Sequence, residues 1–189
     1  MEINIKNRLV IIIGPSCMGK STLADRIQEE YNGRCAIIGH DDILEIVNKN
    51  QEQYKIDDEF HDYYLGTICN ALTMPDIDLL VLDTFNIEIR RLLAFITTIR
   101  GVTNYSEPIT LIKMNVDSKI HDQFMKKKLS GLGMPNDPYM IGGIKSQVLQ
   151  YKGIDGSLNK PMPFCENIVV KDPRNITITF DLPRKGRNK

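Results

Sequence analysis

Residues 14–21 of the chain read GPSCMGKS, and this stretch decides the fold. It follows the apolar run RLVIII at residues 8–13 and precedes a segment in which Leu23, Ile27 and Tyr31 recur at helical spacing. The octapeptide matches the pattern G-x-x-x-x-G-K-[ST] at every defined position. Glycines in such a loop let the backbone wrap closely, so that several N–H groups and the N-terminus of the next helix face a phosphate. The stretch therefore predicts a phosphate-binding loop between a buried strand and a helix.

Two residues at the end of the loop have separate predicted roles. We expect Lys20 to reach the β- and γ-phosphates of a nucleotide and Ser21 to offer its hydroxyl to Mg²⁺. Asp83 ends the apolar run DLLVLD and would supply the second metal ligand. The alternative for the loop is a plain glycine turn with an exposed lysine. The alternative for Asp83 is a residue that only caps the next helix. The loop residues assigned to nucleotide binding are Gly14, Pro15, Ser16, Cys17, Met18, Gly19, Lys20, Ser21 and Thr22.

The order of apolar runs predicts the architecture. Short β-branched runs alternate with helical segments, which is typical of an α/β domain with a mostly parallel five-stranded sheet and helices on both faces. We expect a single domain over residues 1–189, with the three-layer P-loop fold, a lid at about 126–138, C-terminal strands at about 165–182 and a flexible tail at 183–189. The predicted strands are RLVIII, CAII, DLLVLD, ITLIKMNV, NIVV and ITITF, the last two around a turn at DPRN.

The predicted helices follow from apolar spacing and from helix-ending residues. Gly33 would end the helix that follows the phosphate loop. The next two predicted helices are DDILEIVNK and the segment with an apolar stripe from Phe60 to Leu72. A long helix would end at Gly101, and the segment DSKIHDQFMKKKL would be capped by Asp117 or Ser118. A last helix is expected over residues 139–151.

Composition limits the possible functions. The chain has 24 Lys and Arg residues against 24 Asp and Glu residues, so its bulk charge does not favour nucleic acid. The longest pure apolar stretch, LVIII, is too short to span a bilayer, and we expect a cytoplasmic protein. The four cysteines show no metal-binding spacing and are expected to be free thiols.

A pair of aspartates follows the second predicted strand. In the stretch CAIIGHDDIL, Asp41 and Asp42 come just after the carboxyl end of that strand, where ligands collect in doubly wound sheets. Asp41 is predicted to accept the proton of an acceptor hydroxyl during phosphoryl transfer, and Asp42 to contact the acceptor. The alternative is an acidic pair that only satisfies the first turn of a helix.

A lysine cluster precedes a glycine-rich segment in MKKKLSGLGMP. As part of a lid, Lys126 and Lys128 would bind the nucleotide and Lys127 would act in catalysis by neutralising charge on the transferred group. The alternative is a solvated run of cations at a helix C-terminus.

Other nucleotide-binding classes fit less well. The chain lacks the N-K-x-D that reads guanine in GTP-binding switches, since NKNQ and NKPM do not end in aspartate. Thr84, not glutamate, follows Asp83, so no carboxylate is placed there to activate water. Hydrolysis as the main reaction is therefore disfavoured.

The combined motifs resemble the P-loop kinases of the polynucleotide 5′-kinase type. The resemblance rests on GPSCMGKST, IIGHDDIL and VLDTFNIEIRR and covers roughly residues 8–151. It implies use of ATP and Mg²⁺, with Asp41 as general base and Asp83 as the acid at a strand end. Two departures stand out: lysines replace the usual arginines of the lid, and Leu44 stands where the family has an arginine that grips the acceptor's phosphate.

Three functions remain open at this point. The first is transfer of phosphate to a polynucleotide 5′-hydroxyl, with Arg90 and Arg91 as substitutes for the missing arginine. The second is a kinase for a small hydroxylated molecule such as a nucleotide, a sugar conjugate or an antibiotic. The third is an ATP-binding module without catalysis.

Overall fold

The computed structural model describes residues 1–49, 56–84, 88–153 and 156–182. Five strands form one fully parallel sheet in the order β3-β4-β2-β5-β6, and two further strands, β1 and β7, form a separate parallel pair. This architecture confirms the predicted α/β class with a mostly parallel five-stranded sheet. The strands are β1 Glu2–Ile5, β2 Leu9–Ile13, β3 Cys35–Gly39, β4 Leu79–Thr84, β5 Ile109–Met114, β6 Cys165–Val170 and β7 Thr177–Phe180.

Helices cover both faces of the large sheet. They are α1 Lys20–Glu30, α2 His40–Lys49, α3 Ile56–Thr73, α4 Ile89–Thr103, α5 Ser118–Gly131 and α6 Pro138–Lys152. Alternate residues of β2 point to opposite faces, as a strand requires. Leu9, Ile11 and Ile13 pack with α3 and α4, whereas Val10 and Ile12 pack with α1 and with β1 and β7. A sheet buried on both faces explains why its strands are apolar at nearly every position.

The strand register brings the predicted functional residues to one edge. Gly39 is paired with Asp83 across β3 and β4, and Ile13 is paired with Thr84 across β2 and β4. The phosphate loop, the start of α2 and the end of β4 therefore meet at the carboxyl ends of three neighbouring strands, where ligands of doubly wound sheets bind.

Three details differ from the sequence-based expectations. Gly101 does not end α4, which continues to Thr103 and closes on Asn104 in the left-handed conformation with φ 52°. Strand β1 was not predicted, although the alternation in EINI, with Ile3 and Ile5 buried, is the pattern of a half-buried strand. Because β7 pairs with β1, the last two predicted strands lie in different sheets and do not pair with each other.

Other expectations agree with the structure. Asp117 caps α5 by accepting a hydrogen bond from the backbone N–H of Lys119 at 2.8 Å. Helix α6 forms despite Gly142 and Gly143, and all four cysteines are free thiols. Within the described residues, no helix is both long and apolar enough to cross a membrane. The predicted flexible tail at 183–189 lies outside the described residues.

Candidate active site

The phosphate loop joins β2 to α1 through a strained backbone. Gly14 has φ 149° and Gly19 has φ 80°, and between them Cys17 has φ 63°. A Cβ atom on Gly14 would lie 3.0 Å from the Cβ of Met114, and one on Gly19 would lie 3.0 Å from the Cγ of Pro173. Both glycines are therefore required, for their backbone conformation and for the close approach of neighbouring side chains.

The first turn of α1 keeps its backbone donors available. Gly19 is the N-cap residue and provides no side-chain cap, and the first turn carries no acidic residue. The uncapped N–H groups and the positive end of the helix dipole therefore point to the place where the loop closes. Free N–H donors at the positive end of a helix dipole form a binding site for a phosphate group.

Two side chains from distant helices hold the loop at Ser16. The backbone N–H of Ser16 donates to Oε1 of Gln147 on α6 at 3.1 Å, and Nε2 of His121 on α5 donates to the Ser16 carbonyl oxygen at 3.1 Å. His121 is buried. The loop conformation thus depends on α5 and α6 as well as on its own sequence. No motif marked Gln147 or His121, because their partner is a backbone group far away in the chain.

The predicted metal ligands are in direct contact. The Ser21 hydroxyl donates to Oδ2 of Asp83 at 2.6 Å. Burial raises the pKa of Asp83, while the Lys20 ammonium and the Ser21 hydrogen bond act in the opposite direction. A hydroxyl and a carboxylate are the hard oxygen ligands that Mg²⁺ prefers, so these residues fit the predicted ion.

Lys20 lies within electrostatic range of both carboxylates of the site. Its ammonium donates to the Pro15 carbonyl oxygen at 3.2 Å. Burial lowers the pKa of Lys20, and the Asp83 and Asp41 carboxylates act to raise it. The cation is thus held at the loop by charge as well as by the backbone.

Asp41 faces the same cleft from α2. Its side chain is 86% exposed, and its Oδ1 atom lies 3.5 Å from Nδ1 of His40. The hydrogen bond from His40 lowers the pKa of Asp41, with further lowering by Lys128 and Lys20, so the carboxylate is ionised near neutral pH. An ionised, accessible carboxylate can orient a hydroxyl and accept its proton.

These groups line one cleft of about 600 Å³, a size typical of small-ligand sites. The lining residues come from the phosphate loop and the start of α1, from the start of α2, from the end of β4, from α5 and from the turn at Arg174. Arg174 and Pro173 close one end beside Phe124, and the Arg174 guanidinium lies 5.9 Å from the centre of the Phe124 ring. The lining residues of the cleft are Ser16, Cys17, Met18, Gly19, Lys20, Ser21, Thr22, His40, Asp41, Asp83, Thr84, Phe124, Lys127, Lys128, Gly131, Pro173 and Arg174.

Helix α1 and the turn at the closed end are tied together by Arg26. Its guanidinium donates to the carbonyl oxygen of Pro173 at 3.0 Å and to that of Ile176 at 2.9 Å, and it also pairs with Glu30 at 2.7 Å. The turn itself is closed by Asp172, which accepts hydrogen bonds from the backbone and the guanidinium of Arg174.

The structure brings most of the predicted site residues together. Residues 16–22, Asp41, Asp83, Lys127 and Lys128 all line the cleft. Gly14 and Pro15 shape the loop behind it without lining it. The lysines are helical residues of α5 and not part of an open loop, since α5 runs to Gly131.

Besides Gly14 and Pro15, four predicted residues do not line the cleft: Lys126, Asp42, Arg90 and Arg91. Arg91 pairs with Glu88 at 3.2 Å on the surface of α4. The Asp42 side chain packs over Gly39, and its carboxylate acts to raise the pKa of Asp83, beneath the larger effect of burial. Asp42 is therefore close to the cleft, whereas the arginines are surface residues of α4 in the described structure. Their roles remain predictions.

Several lining residues were missed by sequence reasoning. Phe124 and Gly131 share a face of α5 with Lys127 and Lys128, at positions i, i+3, i+4 and i+7. That spacing was visible in the sequence once the lysines were placed on a helix. Pro173 and Arg174 carry no comparable signal, because only the packing of the turn against α1 brings them to the cleft.

Comparison with solved structures shows that this fold is shared with proteins described as kinases and with an antibiotic resistance protein. A candidate kinase from Chloroflexus aurantiacus J-10-fl has a TM-score of 0.60 at 11% identity, with 91% of this chain and 93% of that chain covered. A tunicamycin resistance protein from Deinococcus radiodurans has a TM-score of 0.54 at 10% identity, with 85% of each chain covered. A sugar kinase from Janibacter sp. HTCC2649 has a TM-score of 0.50 at 18% identity, with 89% of this chain and 86% of that chain covered. No protein-family model and no curated protein matches the chain in sequence. At these identities the likeness establishes the fold and leaves the reaction to be argued from the site.

Proposed function

We propose that the chain is a Mg²⁺-dependent kinase that transfers the γ-phosphoryl group of ATP to a hydroxyl group of a small molecule. The observation that carries the proposal is the placement of Asp41. Its exposed, ionised carboxylate lies in the same cleft as Lys20 of the phosphate loop and the Ser21–Asp83 pair. A phosphate loop alone would serve a binding module, whereas an accessible base across from it serves transfer.

Each group of the site has a role in that reaction. The N–H groups of the loop and Lys20 would hold the β- and γ-phosphates, and Lys127 and Lys128 would face them from α5. Ser21 and Asp83 would hold magnesium, which when bound neutralises charge on the phosphates and stabilises the transfer. The Asp41 carboxylate would orient the acceptor hydroxyl and take its proton as the oxygen–phosphorus bond forms. Because its pKa is lowered, Asp41 would act more by orienting the hydroxyl than as a strong base.

The part of the cleft at Phe124, Pro173 and Arg174 suits the nucleoside part of ATP. Phe124, Pro173 and Arg174 form a surface with one aromatic ring, one apolar ring and one planar cation. Flat aromatic groups and guanidinium planes are the groups on which a purine base stacks. The base would thus lie between α5 and the turn closed by Asp172.

A small acceptor is better supported than the 5′ end of a polynucleotide. The cations that line the described cleft come from α1, from α5 and from the turn at Arg174, all on the side of the phosphate donor. Arg90 and Arg91, which were expected to bind the phosphates of a nucleic acid, do not line it. A polynucleotide carries a phosphate on every residue and is normally bound by a basic groove.

The proposal is tested by incubating the wild-type protein with Mg²⁺-ATP and separate panels of sugars, amino sugars, nucleosides and 5′-hydroxyl oligonucleotides. We expect a labelled product with a small acceptor. Asp41→Asn should lower transfer by about 10² to 10⁴-fold, the usual contribution of a general base, with little change in ATP affinity. Labelling of oligonucleotides alone would favour the polynucleotide kinase. ATP binding with no transfer to any panel would instead identify a binding module and overturn the proposal.

A further inference from the structure

The peptide group between Pro15 and Ser16 is held from both sides. Its carbonyl oxygen accepts a hydrogen bond from the Lys20 ammonium at 3.2 Å, and its N–H donates to Oε1 of Gln147 on α6 at 3.1 Å. The peptide bonds of the described residues are trans, so the C=O and the N–H of one peptide point in opposite directions. Gln147 thereby fixes the orientation of the carbonyl oxygen that holds Lys20.

The next peptide group, between Ser16 and Cys17, is held on its carbonyl side. The carbonyl oxygen accepts from Nε2 of His121 on α5 at 3.1 Å, so the Cys17 N–H points away from His121. Among the residues that the structure describes, no protein group accepts a hydrogen bond from this N–H. Cys17 lines the cleft, and a backbone N–H in such a place is satisfied by water or by a ligand.

The conformation of Cys17 favours an anion as that ligand. Its φ of 63° is left-handed, and successive N–H groups around such a residue form a concave anion-binding turn. The Cys17 side chain packs against an apolar cluster of α5 and α6, formed by Met125, Leu129 and Ile144. Because the side chain is used in packing, the N–H is the group of Cys17 that can bind a phosphate.

His121 can hold this peptide because it is itself fixed in place. The residue is buried, and its backbone N–H donates to the carbonyl oxygen of Asp117, the N-cap residue of α5, at 2.8 Å. A carbonyl oxygen only accepts, so Nε2 of His121 carries the proton of the bond to Ser16. Further along the same helix, Lys127 and Lys128 line the cleft. One helix therefore shapes the phosphate loop and also presents cations to the cleft.

We infer that His121 and Gln147 are positioning residues for the phosphate donor. His121 presents the Cys17 N–H to a phosphate of ATP, and Gln147 keeps the Pro15 carbonyl oxygen in place for Lys20. Both side chains act through the loop backbone that they hold, and neither is among the residues that line the described cleft. The inference rests on the proposed binding of ATP at this loop. It does not depend on transfer, so a binding experiment tests it separately from the kinase.

The Cys17 N–H can be observed directly, because the chain has four cysteines and one of them lies in the phosphate loop. Protein labelled at cysteine nitrogen gives one NMR amide signal for each of Cys17, Cys35, Cys69 and Cys165, and the signal lost in Cys17→Ala is that of Cys17. We expect Mg²⁺ with a non-hydrolysable ATP analogue to shift the Cys17 signal. The other three cysteines do not line the cleft, and their signals should stay nearly in place. Binding of the analogue that leaves the Cys17 signal unshifted would overturn the inference.

Two substitutions of His121 separate positioning from packing. His121→Gln keeps an N–H donor that can reach the Ser16 carbonyl oxygen, whereas His121→Leu keeps a buried side chain without a donor. We expect His121→Leu to weaken binding of the analogue about tenfold or more and to reduce the shift of the Cys17 signal, since a hydrogen bond to a charged phosphate is lost. His121→Gln should stay within about threefold of wild type. Equal affinity in His121→Leu and wild type would contradict the assigned role.

Thr110→Val is the control for stability. Thr110 is buried at the amino end of β5, away from the cleft, and its hydroxyl accepts from Nδ2 of Asn7 at 3.0 Å. This variant also loses a buried hydrogen bond, so it should unfold at a lower urea concentration while its affinity for the analogue stays unchanged. If Thr110→Val and His121→Leu lose affinity equally, the effect belongs to stability and His121 is not a positioning residue.

The second positioning residue has a control on its own helix. Gln147→Leu should weaken binding of the analogue about fivefold, because the Ser16 N–H loses its acceptor. Gln150→Leu makes the same change at an exposed position of α6 and should stay within about twofold of wild type. Equal effects of the two variants would remove Gln147 from the inference. In the transfer assay, binding of ATP by the wild type without product would overturn the kinase and leave the positioning roles standing, whereas no binding at all would overturn both.

Discussion

The hydroxyl of Ser21 donates to Oδ2 of Asp83 across 2.6 Å, although the two residues are 62 positions apart in the chain. The contact exists because β2 and β4 are neighbours in the sheet, with Ile13 paired with Thr84, so the loop after β2 lies over the end of β4. Two oxygen ligands for one cation are thus positioned by strand order and do not depend on a flexible segment.

Removing one of these ligands should weaken metal use specifically. We expect Ser21→Ala to raise the Mg²⁺ concentration needed for half-maximal activity about tenfold, since loss of a group near a bound metal typically costs 10 to 100-fold in affinity or activity. The measurement is initial rate against free Mg²⁺ at saturating ATP. Ser106→Ala is the control, since Ser106 is an exposed serine outside the cleft lining. Equal Mg²⁺ requirements in wild type and Ser21→Ala would show that the serine is not a ligand.

The lysines of α5 provide a matched pair. Lys127 lines the cleft and Lys126 does not. Lys127→Gln should lower kcat/KM for ATP by about tenfold or more, because a cation that faces the phosphates is lost. Lys126→Gln removes the same charge one position earlier and should stay within about twofold of wild type, like other surface charges. Steady-state kinetics with varied ATP decides between them, and equal losses would assign both to general surface charge.

The two kinds of glycine in the chain should respond in opposite ways to alanine. Gly19→Ala places a Cβ at φ 80°, 3.0 Å from Pro173 and 3.2 Å from Phe124. We expect it to destabilise the protein by about 1 to 3 kcal/mol and to abolish ATP binding, since the strain falls in the loop. Gly101→Ala lies in the interior of α4 with open space around the new atom and should stabilise by about 0.5 to 1 kcal/mol. Urea unfolding and ATP titration of both variants check these signs.

Stability should depend on acid pH through Asp172. Its hydrogen bonds with Arg174 lower the pKa of this carboxyl to about 2. A carboxylate whose pKa is lower in the folded state stabilises the fold fully above its unfolded-state value, near 4, and this stabilisation is lost as the pH falls toward about 2. Asp172→Asn should therefore be less stable than wild type at pH 7, and the difference should shrink as the pH falls below about 4. Urea unfolding from pH 7 to pH 3 measures it, and a gap that stays constant with pH would remove Asp172 from this account.

Local patterns predicted the parts of the site that come from continuous stretches of sequence. The loop at 14–21 and the aspartates at the ends of β3 and β4 were visible because a parallel sheet gathers its strand ends at one edge. The resemblance to polynucleotide 5′-kinases agreed with the fold. Arg90 and Arg91, which were expected to replace the family's missing arginine at the acceptor, do not line the described cleft, and their role remains a prediction. Those arginines follow Asp83 closely in the chain, and in the structure they are exposed residues of α4.

Contacts between segments that are distant in the chain could not be predicted from the sequence. His121 and Gln147 reach Ser16 from two helices, and only the tertiary packing reveals it. The pairing of β1 with β7 was equally hidden, because a strand's partner is chosen by the whole fold. Gly101 was misjudged because packing of α4 on the sheet outweighs the modest cost of one glycine inside a helix.

The hydrogen bonds from Arg26 to the carbonyl oxygens of Pro173 and Ile176 have a consequence for the size of the phosphate donor that fits the cleft. The phosphates would meet the N-terminus of α1, and the base would meet the turn that Arg26 fastens to the same helix. In the proposed binding mode, α1 would therefore set the distance between the two ends of the nucleotide. A movement of α5 or of the start of α2 that closes the cleft would then leave the length allowed to the donor unchanged.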